Sequence, residues 1–187
     1  MTIQAQKKLF TVDDYYKMAQ VGILDPTDRV ELIRGEIITM SPINSLHASI
    51  VDRLLRLLIQ KLQDQFIVRC QNPIHIDEYS EPEPDLVIAK FQEDEYISQH
   101  PLPSDVYLVI EVADTTLKQD RKVKLPLYAE VGIPEVWIVN LKERTIELYT
   151  EPLDGKYQSK SSAQLGEKVY CSSLNFDLAV DRIFGNR

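Results

Sequence analysis

Five side chains of this chain have the types and spacing to do chemistry together: Asp85, Glu111, Asp120, Lys124 and Tyr128. Asp85 opens the apolar run Leu86 to Ala89, directly after the proline-punctuated stretch Tyr79 to Pro84, and Glu111 ends a second run, Val106 to Ile110. Both runs are rich in β-branched residues and read as buried strands, each delivering one acid. Asp120, Lys124 and Tyr128 fall at i, i+4 and i+8, so a helix through them lines an acid, an amine and a phenol along one face. Two carboxylates on neighbouring strands make a hard-oxygen site for a divalent cation, with the Val112 carbonyl as a third ligand and water completing the shell. Mg2+ or Mn2+ fits better than Zn2+, because no His or Cys stands nearby in sequence. A lysine facing such an ion can orient or help deprotonate an attacking water and hold a phosphate oxygen. The chemistry is hydrolysis of a phosphodiester by metal-activated water.

The elements that must position these groups are legible as patterns. The segment from Val106 to Val139 reads as strand, helix and strand, with Gly132 and Pro134 ending the helix and Val136 to Val139 forming the second strand, which makes a crossover unit. Thr11 and Asp14 give a capping-box-like start to a first helix with an apolar stripe of Tyr15, Met18 and Ala19, closed by Gly22 and Pro26. Arg29 to Met40 alternates on either side of Arg34-Gly35, as two antiparallel strands joined by a tight turn do, and Glu31 and Glu36 lie on them. From Ser45 to Gln65, Ile50, Val51, Leu54, Leu55, Leu58, Ile59 and Leu62 recur at helical spacing. Phe66 to Cys70 and Ile74 to Ile76 are short strand candidates, and Phe91 to Ser104 reads as an exposed connection. Thr145 to Tyr149 pairs back on Trp137 to Val139, a surface hairpin turns at Gly155, and a last short strand or helix lies between Leu174 and Phe184.

The 187 residues, 44% hydrophobic and 27% charged, suit one soluble globular domain spanning residues 1–187. No apolar run approaches a membrane span or a signal peptide, so the expected compartment is the cytoplasm, with Cys70 and Cys171 as buried free thiols. The net charge of −8 argues against a protein that holds nucleic acid by bulk positive potential. The charge is uneven, however: Asp77 to Glu95 carries eight acids against Lys90, whereas Lys118, Arg121, Lys122 and Lys124 surround only Asp120. A phosphate can be received locally if a cation offsets the acids.

Pro84-Asp85, Glu111-Val112-Ala113 and the run from Asp120 to Asn140, preceded by Arg29 to Glu36, Ser41-Pro42 and His47, together resemble the Uma2 family of restriction-endonuclease-like proteins. That family is part of the PD-(D/E)XK nuclease superfamily. The similarity runs from about Phe10 to Val139 and on towards the C-terminus. It implies an α/β fold with a restriction-endonuclease-like core, a mixed central sheet flanked by helices, with Asp85 and Glu111 as the metal-binding pair and Glu31 as a further acid of the site. The superfamily lysine usually stands two residues after the acid of its second strand, where this chain has Ala113, and the resemblance implies that the lysine has moved to the helix, at Lys124. DNA is then the expected substrate, and a homodimer suits two antiparallel strands.

Each residue also has a plainer reading. Glu111 can be half of a buried ion pair with Lys124 or Arg121, Asp120 and Lys124 a solvated helix pair, and Tyr128 a core residue whose hydroxyl needs a partner. Glu36 is expected to be exposed, Trp137 to be core, His47 to be a surface or cap residue, and Glu78 to Glu83 to be a solvated loop. A catalytically inactive protein that keeps the fold for oligomerisation or partner binding is the rival to a Mg2+-dependent endonuclease, and a phosphohydrolase of small nucleotides is a third reading.

Overall fold

The structure is a computed structural model and describes residues 7–25 and 27–185; Pro26, expected to help close the first helix, lies outside them. Helix α1 (Val12–Gln20) begins on a capping box in which Thr11 and Asp14 bond each other's backbone amides. Strands β1 (Val30–Ile33) and β2 (Glu36–Thr39) form the expected hairpin. Arg34 and Gly35 at its tip both have positive φ, 52° and 75°, as the right-handed twist of a two-residue turn requires. Helix α2 (Ser45–Leu62) is N-capped by Asn44. Its apolar stripe is buried as expected except at Leu55, which is half-buried, and Ile59, which faces solvent while Leu57 is buried.

A six-stranded sheet follows: β3 (Phe66–Cys70), β4 (Leu86–Lys90), β5 (Val106–Ala113), β6 (Glu135–Asn140), β7 (Thr145–Leu153) and β8 (Lys156–Ala163), side by side in that order. The β5–β6 pair is parallel and the other pairs are antiparallel, so the sheet is mixed as expected. The parallel pair requires a crossover, supplied by α3 (Leu117–Gln119), a π turn over Asp120–Lys124, and α4 (Leu125–Glu130). A second hairpin, β9 (Lys168–Cys171) with β10 (Phe176–Ala179), leads into α5 (Val180–Phe184), so the C-terminal segment holds both a strand and a helix.

Both faces of the sheet are covered, which is why β4 and β5 read as continuous apolar runs. On one face Leu54 and Leu58 of α2 pack with Leu86, Ile88, Leu108, Ile110, Val112 and Trp137, and the β9–β10 hairpin and α5 close that core. On the other, Leu127 and Tyr128 of α4 cover Val87, Val109, Ala113, Val136 and Ile138. Strand β5 does not stop at Glu111 but runs two residues further, which keeps Glu111 inside the ladder. Ile74 to Ile76 is extended but joins no strand; its amides bond Pro82 and Ser80 instead. Tyr96 in the connection before β5 is buried, its hydroxyl on the Lys90 carbonyl.

The stretch leading to Asp85 is not the solvated loop expected. Ser80, Glu81, Pro82 and Pro84 are buried, and Glu81 accepts hydrogen bonds from Tyr16 and from His75 Nδ1 at 3.0 Å. The Tyr16 hydroxyl lies 3.2 Å from His100 Nε2, and Arg69 reaches His100 Nδ1 at 3.3 Å, where arginine can only donate. This polar chain ties the stretch to α1 and β3. The β1–β2 hairpin is sewn to it from the other side, through Glu81 N to Leu32 O at 2.8 Å and Gly35 N to Tyr79 O at 2.7 Å.

Gly35 is the tightest point of that seam, since an added Cβ would stand 2.7 Å from Leu9 Cβ and 3.2 Å from the Phe10 backbone. Gly132 shares its positive φ but has open space around it. Gly35→Ala is therefore expected to cost about 2–4 kcal/mol, strain plus overpacking, and Gly132→Ala only about 1–2 kcal/mol. Urea unfolding of the two variants checks the order.

Candidate active site

The β4–β5 register pairs Leu86 with Ile110, so the next opposed positions are Asp85 and Glu111. Alternation along both strands then sends the two carboxylates to one face, the face that α4 covers. The crossover helix brings Lys124 over them and the β1–β2 hairpin brings Glu31. Glu31, Asp85, Glu111, Val112, Asp120 and Lys124 line one cavity of about 80 Å3, together with Arg29, Asn44, His47 and Glu83. Tyr128 stands behind Glu111.

The contacts are specific. Lys124 Nζ lies 3.0 Å from Glu31 Oε2 and 3.3 Å from Glu111 Oε1. The Tyr128 hydroxyl donates to the same Glu111 oxygen at 2.8 Å, so this core tyrosine has the partner its burial demands. Glu31 Oε2 also accepts the Glu83 amide at 3.1 Å. Asp85 Oδ2 accepts the Val112 amide at 2.7 Å and lies 3.2 Å from His47 Nε2. Asp120 accepts from Thr116 Oγ1 at 2.8 Å. Arg121 turns away to Glu147, and Glu36 pairs with Lys7 at the surface. Trp137 is core, its indole donating to the buried Glu135 at 2.7 Å. Of the two cysteines Cys171 is buried, but Cys70 only half-buried.

Asp120 and Lys124 are 4% and 5% exposed, which rules out a solvated surface pair. The helix that carries them is not regular: Leu125 N donates to Asp120 O, the i to i−5 bond of a π turn. Pro126 supplies the reason, since it has no amide for the carbonyl four residues back and its ring would crowd that carbonyl, so the turn before it widens.

Charge is out of balance in the cavity. Glu31, Glu83, Asp85, Glu111, Asp114 and Asp120 line it against Arg29 and Lys124. Burial pushes the Glu111 carboxyl well above its usual range, and repulsion from Asp120, Asp85 and Glu31 adds to this against the pull of Lys124. Burial likewise raises Asp120 to about 6. Burial alone would lower Lys124, but Glu111, Glu31 and Asp120 more than offset it and hold the amine above the ordinary lysine value. Lys124 is therefore a fixed cation and donor rather than a base, which removes its expected part in deprotonating water. The hydrogen bond to Asp85 raises the basicity of His47 against the effect of burial.

A divalent ion fits this donor set. Hard oxygens face one cavity whose acids outnumber its cations, and repulsion among those acids adds to burial in raising the proton affinities of Glu111 and Asp120. Among the described residues no three His, Cys, Asp or Glu side chains are gathered to hold an ion alone. Backbone and water must then complete the shell, as Mg2+ readily allows. The Val112 amide points at Asp85, and in an extended strand the carbonyl of the same residue points to the same edge. His47 and Glu83 were not among the six candidates. Neither spacing nor periodicity connects His47 to Asp85, and only the packing of α2 does; the Glu83 backbone reaches Glu31 because the proline-rich stretch is buried.

An acid whose proton affinity rises on folding favours the protonated folded state. Stability from Asp120 is therefore present below its ordinary value of 3.8 and is lost as pH rises through about 6, with Glu111 acting in the same direction. Asp120→Asn is expected to flatten this decline in urea unfolding measured across that window. Lys124→Ala leaves Glu31 and Glu111 buried without their cation, and is expected to cost about 3–5 kcal/mol at neutral pH, partly recovered on acidification.

The sequence model of the Uma2 family, described as "Putative restriction endonuclease", matches residues 12–181. Among solved structures, a crystal structure titled "a putative nuclease belonging to DUF820", from Anabaena variabilis, superposes with a TM-score of 0.72. It is 17% identical, and the alignment covers 94% of this chain and 97% of that one, a likeness that shows the fold. Among curated proteins none matches. No helix among the described residues is long and apolar enough to cross a membrane. With a match that spans almost its whole length, the chain belongs to the Uma2 family.

Proposed function

We propose that this protein is a divalent-cation-dependent endonuclease that hydrolyses DNA phosphodiester bonds. The observation that carries the reading is that Asp85, immediately before β4, and Glu111 of the neighbouring β5 line one cavity, with the Lys124 ammonium 3.3 Å from Glu111. Family membership and the restriction-endonuclease-like expectation for its fold point the same way. Asp85, Glu111 and the Val112 carbonyl would hold Mg2+ or Mn2+, and such an ion, when bound, supplies Lewis-acid stabilisation of the phosphoryl oxygens and acidifies water.

The chain's own groups divide the remaining work. Lys124, held charged by its acidic neighbours, donates to a non-bridging phosphate oxygen and offsets the charge that develops there. Asp120, raised to about 6, is the carboxylate whose proton affinity suits accepting a proton from the attacking water. Glu31 keeps the Lys124 amine aimed at the cavity, and Tyr128 fixes the rotamer of Glu111. Arg29 at the cavity wall is the further cation available to the substrate backbone. Because the chain carries a net charge of −8, DNA affinity depends on these few cations and the bound ion, and is weak and salt-sensitive. A two-fold dimer would present one such cavity to each strand of a duplex, and sedimentation with and without DNA measures that association.

Asp85→Ala and Glu111→Ala are each expected to abolish cleavage of duplex or single-stranded DNA in Mg2+ or Mn2+ while remaining folded. Lys124→Met is expected to lower the rate by about 100- to 1000-fold. Cleavage at wild-type rate by either carboxylate variant would sink the reading. Calorimetry that finds no affinity for either ion would instead favour the fold kept for oligomerisation or partner binding.

A further inference from the structure

We propose that His47 is a positioning residue of the cation site, which holds the Asp85 carboxylate through Nε2 so that its oxygens face the ion. The inference rests on the cation-dependent reading above. Nε2 lies 3.2 Å from Oδ2 and 3.2 Å from Oδ1 of Asp85, and both side chains are 15% exposed. A carboxylate only accepts, so Nε2 is the donor in either charge state of the ring. Nδ1 is buried with no hydrogen-bond partner among the described residues. Asp85, with a smaller contribution from the Val112 backbone, is thus the polar group that orients this ring.

The ring is itself held in place by the backbone. His47 is the third residue of α2, and its amide donates to Asn44 Oδ1 at 2.9 Å. Asn44 in turn donates through Nδ2 to Asp114 at 2.8 Å, one residue beyond β5. The first turn of α2 is therefore tied to the end of the strand whose Val112 amide binds Asp85 at 2.7 Å. The Asp85 carboxylate is clamped between β5 on one side and α2 on the other. Without His47 it keeps the Val112 amide alone and can turn about that bond. Outer partners of this kind set metal affinity, and losing one typically costs about 10- to 100-fold.

The test is Mn2+ binding to the full chain, by calorimetry and by electron paramagnetic resonance, for wild type, His47→Ala and His47→Gln, with urea unfolding of each. Glutamine carries an amide donor at nearly the reach of imidazole Nε2, whereas alanine carries none. His47→Ala is expected to bind Mn2+ about 10- to 100-fold more weakly, with an unfolding midpoint close to wild type, and His47→Gln to recover most of the affinity. His47→Leu, which keeps bulk without a donor, replaces alanine if that variant does not fold. The Mn2+ echo spectrum of wild type is expected to lack imidazole nitrogen coupling, because the ring acts through Asp85. Unchanged affinity in His47→Ala, failure of glutamine to rescue, or direct nitrogen coupling overturns the role of His47 and leaves the cation site standing. Absence of Mn2+ binding in wild type overturns both.

Discussion

A buried ammonium between two buried carboxylates is the interaction on which this architecture turns. Lys124 meets Glu31 and Glu111, which come from a hairpin and a central strand more than seventy residues apart in the chain. Taking three charges out of water is expensive, and their attraction repays it only when the geometry is good and the remaining lone pairs are filled. Here the protein supplies one further donor to each carboxylate: Tyr128 donates to Glu111, and the Glu83 amide to Glu31. The hairpin, the proline-rich stretch and the crossover helix must all be in place before the ammonium is matched, so the same contact that organises the cavity reports that the fold is complete.

The arrangement gives a physical reason for the expectation that the lysine stands on the helix rather than two residues after Glu111. Ala113 has the same parity as Glu111 and is buried beneath α4 with Leu127 and Tyr128 nearby in the same core. A lysine there would need its stem threaded past this packing. Carried on the crossover helix, the amine arrives from above instead, and strand spacing no longer determines where it lies. The π turn does, and the turn is a consequence of Pro126.

Much of this was readable in the residues. The hairpin around Arg34-Gly35, the capping box of α1, the stripe of α2 and the strand–helix–strand unit follow from local chemistry that the fold does not override. The acids at the ends of two apolar runs were readable too, because a carboxylate bordering a buried strand has few structural uses. Other features depended on contacts that no local pattern encodes. Glu81 lies in a stretch that reads as acidic and solvated, yet Tyr16 and His75 satisfy it in the interior. His47 looks like a cap residue until α2 is laid across the end of β4. The β9 strand has only four residues, and it becomes a strand by pairing with β10 under the Trp137 face of the sheet.

The proposed function requires the negative charge of the chain and an anionic substrate to be reconciled inside the cavity rather than at the surface. Six acids line a space of about 80 Å3 with Lys124 and Arg29 as its cations, and burial, reinforced by repulsion among the acids, raises the proton affinity of Glu111 and Asp120. Each proton so held marks a place where a divalent charge would be more favourable, because one ion between hard oxygens can replace several protons and leave every carboxylate ionised. Under the proposed function, an ion held there would reverse the local sign for an incoming phosphate, while the surrounding acids would repel nucleic acid elsewhere. An overall basic surface would bind DNA more tightly but along its whole length. On the proposed function, attraction concentrated at an ion, Lys124 and Arg29 would make productive contact the favoured contact.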